Sequence, residues 1–556
     1  MNRKIYLAAF LIPLTMLLLG ASRSWGITLS GVAKDQKGGD LPGVMVTAYS
    51  ETQRMATSVI TDEKGKYEIV GLAEGDYLVR AKRLGFKNEE KKLALTGDAG
   101  IDFALEEAAD ISEQASSSDW LAVLPDGPGD VKKRFIIGCI ECHGMEKIVE
   151  NRGKKAEEWH KLVDSMVNLG QINRKTSSKA TIEALGGELG TAVLFPGWFG
   201  LDAITSYLAE HFGANHQSLR PKIPPPVTGA AARVVITEWD LPKINSANTH
   251  TVAVDPKTGL AWIIDSYAYG ELIRLDPSTG ATKTYKLPVP PGENRAGAHD
   301  VVFDKEGKIW LPLIVGNAIV QFDPATEAWT TWKPPTPNSG PHTLRLDSQG
   351  NVWFTQFAAD QFARLDPKTG EFVEYKLPSR RPIKMPYGLT VDPQDNVWVC
   401  ELYGNRLTRF DPRTGKITSY TPPTPYSSVR RADFDSQGNI WFSEFVPGKL
   451  GKFDPKTETF QEYAIPTPDS APYGIAVDRE ADVVWASGYA SHKIIQFDIK
   501  TETFTEYPLP TPILSNIRNV WVDRSTGTVW GVYGNWAKPN ARLVRLKFPK
   551  LEGDAR

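Results

Sequence analysis

Two neighbouring stretches of the chain share one pattern: residues 342–378, "HTLRLDSQGNVWFTQFAADQFARLDPKTGEFVEYKLP", and residues 387–423, "YGLTVDPQDNVWVCELYGNRLTRFDPRTGKITSYTPP". Each has an aspartate turn, a tryptophan, a second Asp-Pro turn and a closing run of alternating residues. Seven such units follow one another, with the tryptophans Trp262, Trp310, Trp353, Trp398, Trp441, Trp485 and Trp530. Successive repeats of the length seen between these tryptophans, with four short strands each, are typical of a β-propeller. The sequence therefore predicts a seven-bladed β-propeller at residues 232–550.

The ends of the repeat region predict how the propeller closes. The seventh unit ends after its third strand, "RLVRLKFP", whereas "VVITEWDLP" at residues 234–242 matches the fourth strands of the other units. We expect this N-terminal strand to pair with the last blade, because closure covers both open strand edges.

Alignment of the repeats brings out two positions. The residue five before each repeated aspartate is polar in all seven units: His250, His299, His342, Tyr387, Arg430, Tyr473 and Arg518. The residue three after each tryptophan is Asp265, Leu313, Gln356, Glu401, Glu444, Gly488 and Tyr533. The first strand of a blade lines the axis and the second runs back beside it, so both positions are expected at one mouth of the channel. We interpret this mouth as a site for a metal, an anionic substrate or both; a polar, water-filled channel is the alternative.

The motifs "PHTLRLD…GNVWFTQ" and "LDPKTGEFVEYKLP" are similar to those of the streptogramin (virginiamycin B) lyase family of propellers, and the resemblance covers residues 234–549. The resemblance implies catalytic histidines at inner-strand starts, a position that His250, His299 and His342 match. It also implies glutamates that hold Mg²⁺; the speculative metal set in this chain is Asp265, Glu401 and Glu444. Because the two glutamates lie on blades without a histidine, a relative with changed chemistry fits better than an antibiotic lyase.

A different motif precedes the propeller, "GCIECHG" at residues 138–144. Cys139, Cys142 and His143 form CxxCH, the attachment signature of c-type haem, in which two thiols add to the haem vinyl groups and the imidazole ligates iron. A zinc site would need a second ligand pair, and the chain has only three cysteines. A thioredoxin-like redox pair stays open, although its βαβ context is missing. Residues 121–213 resemble a small mono-haem cytochrome c domain, which implies one covalent haem c.

The sixth ligand of this haem is predicted to be Met166, because a thioether is the usual electron-transfer ligand and Met145 is too close to His143. The run around Met166, "EEWHKLVDSMVNLG", resembles the helix after the haem site in some quinohaemoprotein-type cytochrome domains. The alternatives are His160, His211 or an open position, with Met166 then a core residue.

The segment in front of this motif, residues 27–107, has short alternating runs separated by Gly/Asp/Lys turns, which predicts a small β-sandwich. "LPGVMVTA" and "TDEKGKYEIVGL" resemble the carboxypeptidase regulatory-like domain. With no His/Asp/Glu cluster, we interpret it as a structural or docking module. A Pro/Ala-rich linker is expected at residues 214–231.

The N-terminus reads as a charged start, the apolar run "IYLAAFLIPLTMLLLG" and the small and polar "ASRSWG". This predicts a cleaved signal peptide at residues 1–26, with a membrane anchor as the alternative. We expect a soluble, exported protein, periplasmic or else extracellular. With 64 basic and 66 acidic residues and no basic block, nucleic acid is not expected as a partner.

Together these features predict a mainly β, multidomain protein: a β-sandwich, a small helical cytochrome c domain and a seven-bladed propeller. The leading hypothesis is an exported c-type haem protein in electron transfer, coupled to a small-molecule site in the propeller, as a haem-linked oxidoreductase with an unknown redox partner. The alternatives are a metal-dependent, lyase-like propeller with an accessory haem, and a non-enzymatic electron-transfer or binding protein. Cys400 is predicted to be a buried, inert thiol and His492 a surface residue.

Overall fold

The computed structural model describes residues 26–140, 144–164, 201–214, 219–242, 249–265, 270–378, 385–510, 516–535 and 538–548. In these residues the chain is mainly β, with a sandwich-like domain, a short helical segment and a propeller-like region of four-stranded sheets. The predicted signal peptide, apart from Gly26, lies outside them. None of the helices in the described ranges is both long and apolar enough to cross a bilayer.

The N-terminal domain is the predicted β-sandwich. Its strands are β1 (Ile27–Asp35), β2 (Met45–Ser50), β3 (Met55–Ile60), β4 (Lys66–Leu72), β5 (Gly75–Lys82), β6 (Glu89–Leu95), β7 (Ala99–Gly100) and β8 (Phe103–Leu105). One sheet has β1 between β4 and β7, and the other has the order β3-β2-β5-β6. Alternate residues such as Leu29, Val46, Ile69 and Val79 are buried between the sheets, as period-2 patterning requires.

The helical segment follows. Its elements are α1 (Ser117–Val123), a 3₁₀ turn (Pro128–Asp130), α2 (Val131–Phe135), a π-helical turn (Ile136–Ile140), α3 (Glu146–Glu150), α4 (156–164) and α5 (Leu201–Phe212). A capping box fixes the start of α1: the Ser116 hydroxyl accepts the Asp119 N–H, and the Asp119 carboxylate accepts the Ser116 N–H. The apolar side chains of these helices form one core around Trp120, Phe135 and Trp159.

Strand β9 (Val235–Asp240) precedes seven blades. Blade 1 contains β10 (Thr249–Val254), β11 (Ala261–Asp265), β12 (Glu271–Leu275) and β13 (Thr282–Lys286). Blade 2 contains β14 (Val302–Phe303), β15 (Ile309–Leu313), β16 (Ala318–Asp323) and β17 (Ala328–Trp332). Blade 3 contains β18 (Pro341–Leu346), β19 (Val352–Gln356), β20 (Gln361–Asp366) and β21 (Glu371–Lys376). Blades 4 and 5 contain β22 (Pro386–Val391), β23 (Val397–Glu401), β24 (Arg406–Asp411), β25 (Lys416–Tyr420); β26 (Val429–Phe434), β27 (Ile440–Glu444), β28 (Lys449–Asp454) and β29 (Thr459–Ala464). Blades 6 and 7 contain β30 (Pro472–Asp478), β31 (Val483–Gly488), β32 (Lys493–Asp498), β33 (Thr503–Pro508); β34 (Asn516–Asp523), β35 (Thr528–Asn535) and β36 (Lys538–Lys547).

A hydrogen bond within four of the units, blades 2 to 5, explains why aspartate and tryptophan recur together. In blade 3 the Trp353 indole N–H donates to Asp347 Oδ2 at 2.9 Å, while Asp347 Oδ1 accepts the turn N–H groups of Gln349 and Asn351. The same indole–carboxylate bond occurs in blades 2, 4 and 5. One carboxylate thus fixes the turn and anchors the tryptophan that fills the space between blades.

The predicted closure of the ring is confirmed. Strand β9 pairs antiparallel with β36, for example Glu238 with Val544, and supplies the fourth strand of blade 7. Its other edge, however, pairs with β3 of the sandwich, where Thr57 faces Thr237. The closing strand is therefore interior to one eight-stranded sheet that joins the sandwich to the propeller.

Candidate functional site

The seven aligned polar positions form a ring where the inner strands begin, and we call them the channel ring. They are His250, His299, His342, Tyr387, Arg430, Tyr473 and Arg518, each 6% exposed or less. Their strands are neighbours around the axis, and β34 of blade 7 contacts β10 of blade 1. Equivalent repeat positions on a closed propeller must converge in this way, so the structure places the three histidines side by side.

The histidines stack on one another. The ring centroids of His250 and His299 are 3.8 Å apart, and those of His299 and His342 are 3.5 Å apart. The stack continues to Tyr387, 4.0 Å from His342. The Nδ1 atom of His342 lies 3.0 Å from the Tyr387 carbonyl oxygen, which can only accept, so Nδ1 bears the proton.

Two tyrosines extend this stack into a hydrogen-bonded chain. The Tyr473 hydroxyl lies 3.3 Å from His250 Nε2 and also makes a short hydrogen bond with the Tyr387 hydroxyl. Blades 1, 4 and 6 are thereby linked across the channel by side chains alone.

Burial keeps the histidines neutral. Desolvation lowers the pKa of His250, His299 and His342 well below the usual value. Neighbouring arginines lower all three pKa values further, and neighbouring ring histidines add to this effect at His250 and His299. Neutral imidazoles each present one N–H donor and one acceptor nitrogen. The stack can therefore bind a ligand by hydrogen bonds without adding charge.

Positive charge at the ring comes from arginines. Arg430 is fully buried, with its guanidinium 3.9 Å from the Phe445 ring centroid and 4.4 Å from that of Tyr473. Arg431 donates to Thr343 Oγ1 at 2.8 Å and reaches His299 Nδ1 at 3.4 Å. Guanidinium groups stay charged when buried, and that of Arg431 also pairs with the buried Asp300 carboxylate at 3.7 Å, so this mouth contains charged arginines packed on aromatic faces.

The glutamates expected beside the histidines lie on the second strands of blades 4 and 5. Glu401 pairs across the sheet with Pro386, and Glu444 pairs with Val429, in each case the residue just before a ring residue. The register shifts beside both ring residues, so strand alternation does not fix the direction of the glutamates, which is given instead by the groups around them.

Both glutamates have partners on the third or fourth strand of their blades. Glu401 Oε1 accepts the Thr408 hydroxyl of the third strand at 2.5 Å. Burial, followed by the charge of Glu462, raises the pKa of Glu444 to about 8. The Asp265 side chain lies outside the described residues, and within them no group of three His, Cys, Asp or Glu side chains could hold a metal ion. The structure therefore does not bring Glu401 and Glu444 together as part of a metal site like the one expected from the sequence.

Of the haem motif, the structure describes Cys139, which is half-buried in the π-helical turn and packs against the apolar core. Cys142, His143 and Met166 lie outside the described residues. Of the alternative ligands, His160 is exposed on α4, whereas His211 on α5 packs edge-on against Tyr207 at 4.6 Å.

Buried polar atoms beside this motif fit a group with an apolar body and an acidic edge, such as haem. In the described part of the chain the Trp159 indole N–H is buried without an acceptor. The Glu146 carboxylate has only its own backbone N–H, and burial raises its pKa to about 7. Buried polar groups normally have partners, and the donor set Cys139, Cys142 and His143 has the chemistry that c-type haem needs.

The helical segment docks on the propeller at the mouth that holds the channel ring. Its core and the ring tyrosines Tyr387 and Tyr473 belong to one apolar cluster. The Ser118 N–H donates to the Ala490 carbonyl oxygen at 2.9 Å, and Lys132 Nζ lies 3.0 Å from the Asp469 carboxylate.

Sequence reasoning missed the residues that cover the ring, although the repeats contain a signal for them. The residue four after the tryptophan is apolar in blades 3 to 6: Phe357, Leu402, Phe445 and Tyr489. Phe357 stacks on His342, and Tyr489 stacks on Tyr473 with centroids 5.7 Å apart. We call these four residues, three of them aromatic, the aromatic layer; they share one apolar cluster with the ring tyrosines and the helical segment.

Two further residues were singled out in the sequence. The burial of Cys400 is confirmed, and that burial raises the thiol pKa. The surface prediction for His492 was wrong: the side chain is 8% exposed. Burial, and then the charge of Lys82, lowers its pKa to about 3. Lys82 belongs to the sandwich, so contacts between domains bury this turn residue.

Comparison with known proteins agrees with two of the three domains. The carboxypeptidase regulatory-like domain model matches residues 28–106, and the virginiamycin B lyase family model matches residues 282–538. No curated protein matches the chain. A streptogramin B lyase structure is similar with a TM-score of 0.51 and 24% identity, covering 58% of this chain and 100% of that chain.

The virginiamycin B lyase of Staphylococcus aureus has a TM-score of 0.49 and 21% identity, with 56% of this chain and 100% of that chain covered. At such identities the likeness to the streptogramin B lyase structure shows the propeller fold alone. The chain therefore combines a carboxypeptidase regulatory-like domain with a virginiamycin B lyase-like β-propeller.

Proposed function

We propose that the protein is an exported, periplasmic c-type haem protein that transfers electrons to or from a small molecule bound at the channel ring. The observation that supports this most is the shared apolar cluster: the turn with Cys139 packs against the same cluster that contains Tyr387 and Tyr473. A redox group attached there and a ligand at the ring would be close neighbours.

The haem would be held by Cys139 and Cys142 as thioethers and by His143 as proximal ligand, with Met166, His160 or His211 as candidates for the sixth position. When bound, haem supplies one-electron transfer. The chain surrounds the attachment turn with Phe135, Ile136 and Ile140, which exclude water. Trp159 and Glu146 contribute the buried polar atoms that would meet its polar edge.

We infer that the ligand is a small organic anion with a planar apolar body, such as an aromatic carboxylate. Arg430 and Arg518 place guanidinium groups in the channel ring, with Arg431 beside them in an ion pair with Asp300, and guanidinium groups bind carboxylates well. The aromatic surroundings of the ring, Tyr387 and Tyr473 among them, suit a ligand with an apolar body, and the neutral histidines add hydrogen bonds. Mg²⁺ or another divalent ion has less support, because Glu401 and Glu444 have partners on the third or fourth strand of their blades.

The haem is tested on the full chain produced in a host that matures c-type cytochromes. The expected result is one haem that stays attached in acid-acetone, and none after Cys139→Ala/Cys142→Ala. A haem that is fully extracted contradicts the proposal.

The ligand class is tested by calorimetry on the same protein with benzoate and with the matched neutral amide, benzamide. Benzoate should bind and benzamide should not, and Arg518→Gln should remove benzoate binding. Equal binding of the two compounds contradicts the anion, and a change of haem absorbance with an anionic reductant supports the redox role.

A metal-dependent lyase is the second candidate, because the virginiamycin B lyase family model matches residues 282–538 and three histidines share the inner-strand position. It predicts Mg²⁺-dependent opening of an ester-linked ring without any change in the haem spectrum. Loss of turnover with EDTA, restored by Mg²⁺, would favour it over the oxidoreductase. A non-enzymatic electron carrier would show neither turnover nor ligand binding.

A further inference from the structure

We propose that the helical segment is a lid on the propeller: docked, it closes the channel ring to solvent, and a ligand reaches the histidines only when it lifts from blade 6. This inference rests on contacts between the helical segment and the propeller and does not depend on haem. Its failure is therefore distinguishable from failure of the proposed function.

The closed state is visible in the burial of the ring. The three histidines are 2% exposed or less, although they stand at the mouth of the channel, where inner strands begin. The aromatic layer packs on the ring, with Tyr489 stacked on Tyr473 and Phe445 packed on Arg430. Among the described residues the ring side chains are buried in this docked state, so entry from this mouth requires the helical segment and the side chains below it to move.

Two polar contacts fix the lid beside that layer. The Ser118 N–H donates to Ala490, the residue after Tyr489. Lys132 pairs with Asp469, four residues before Tyr473, and the two side chains are only 10% and 19% exposed. Ala490 is on blade 6 and Asp469 is in the loop that leads into it, so this side of the propeller is the docking point from which the lid would lift.

The contact surface is incompletely packed, as expected of parts that separate. A pocket of about 170 Å³, partly open to solvent, lies between the two partners. It is lined by Asp126, Lys132, Lys133 and Ile136 of the helical segment and by Thr424, Pro425, Val446, Pro447 and Asp469 of the propeller. Interfaces between domains of one chain usually permit relative motion unless they are large and well packed.

Mutation of the ion pair between Lys132 and Asp469 should shift the lid towards its open state. Removing one partner of a buried pair leaves the other charge without compensation, and reversing its sign adds repulsion. Lys132→Glu would place a carboxylate against Asp469 and so favour the open state. The double variant Lys132→Glu/Asp469→Lys restores attraction and should close it again.

Carbethoxylation of histidines by diethyl pyrocarbonate, mapped by mass spectrometry on the full-length protein, measures the opening. Exposed His160 is the internal standard. In the wild type, His160 should react quickly while His250, His299 and His342 are protected. In Lys132→Glu the ring histidines should react about tenfold faster, and the charge swap should restore protection.

Two results would overturn the lid. One is reaction of the ring histidines in the wild type at the rate of His160. The other is unchanged protection in a Lys132→Glu variant whose melting curve matches that of the wild type. Should Lys132→Glu fail to fold, Asp469→Asn removes the pair with almost no change of shape, and faster ring modification is then required.

Discussion

The hydroxyl of Tyr473 and Nε2 of His250 lie 3.3 Å apart although 223 positions separate them in the chain. The two residues start the inner strands of blades 6 and 1, so their contact crosses the channel past blade 7. Because the Tyr473 hydroxyl also meets that of Tyr387, this one phenol connects three blades. Side-chain hydrogen bonds at the centre of the propeller therefore connect blades that are not neighbours in the ring.

Replacement of Tyr473 by Phe should destabilise the propeller. The variant keeps the stack on Tyr489 but leaves His250 Nε2 without its cross-channel partner, which should cost about 1–2 kcal/mol of unfolding free energy. Urea unfolding measures the change. Tyr463→Phe is the matched control, because its hydroxyl bonds to Glu502 on the exposed outer strands, and it should cost about 0.5 kcal/mol or less. Equal losses in the two variants would contradict a special role of the central contact.

His492 should make the protein sensitive to acid. The pKa of its imidazole is about 3 in the folded protein against an ordinary value of 6.5, so the unfolded state binds the proton more tightly. Stability is therefore present above pH 6.5 and is lost as pH falls towards 3, by about 1.4 kcal/mol per pH unit. The difference in unfolding free energy between wild type and His492→Gln, followed by urea titration over this range, should show that slope. A difference independent of pH would contradict burial of His492.

Glu444 should make the protein less stable as the pH rises, which is opposite to the effect of His492. Burial raises its pKa from 4.5 to about 8, so the folded state holds this proton more tightly than the unfolded chain. Its contribution is complete below pH 4.5 and is lost as pH rises through 8. Glu444→Gln, which mimics the protonated acid, should flatten this part of the pH profile in urea unfolding. An unchanged profile would mean that Glu444 is ionised in the fold.

Asp240 should couple the sandwich to the propeller. Its carboxylate accepts the Tyr49 hydroxyl at 2.8 Å and the Arg542 guanidinium at 2.7 Å, and thus joins β2, β9 and β36. Asp240→Asn should cost about 1–3 kcal/mol and separate the melting transitions of the two domains in calorimetry.

The control for Asp240 is Lys37→Ala in an exposed ion pair, which should leave the transitions unchanged. A single, unshifted transition in Asp240→Asn would show that the shared strand pairing alone couples the domains.

The sequence by itself determined the seven blades and their closure. Asp347 and Trp353 are six residues apart and bond within one unit, so their repetition predicts the unit. The sequence also predicts which strand completes blade 7, because a closed propeller needs four strands in every blade and the N-terminal strand is the one left over. Equivalent positions of a closed ring must converge, which is why the three histidines could be placed together before any coordinates.

Only the tertiary structure decided which side chains face the channel. In blades 3 to 6 the inner-strand register shifts beside the ring residue, for example between Val429 and Ala432. Such a bulge changes which neighbours share a face, so the alignment of the repeats did not fix the direction of Glu444 relative to Arg430. The burial of His492 by the sandwich, the pairing of β9 with β3 and the docking of Lys132 on Asp469 depend on contacts between segments far apart in sequence. No local pattern encodes such contacts, because they arise from the packing of whole domains against one another.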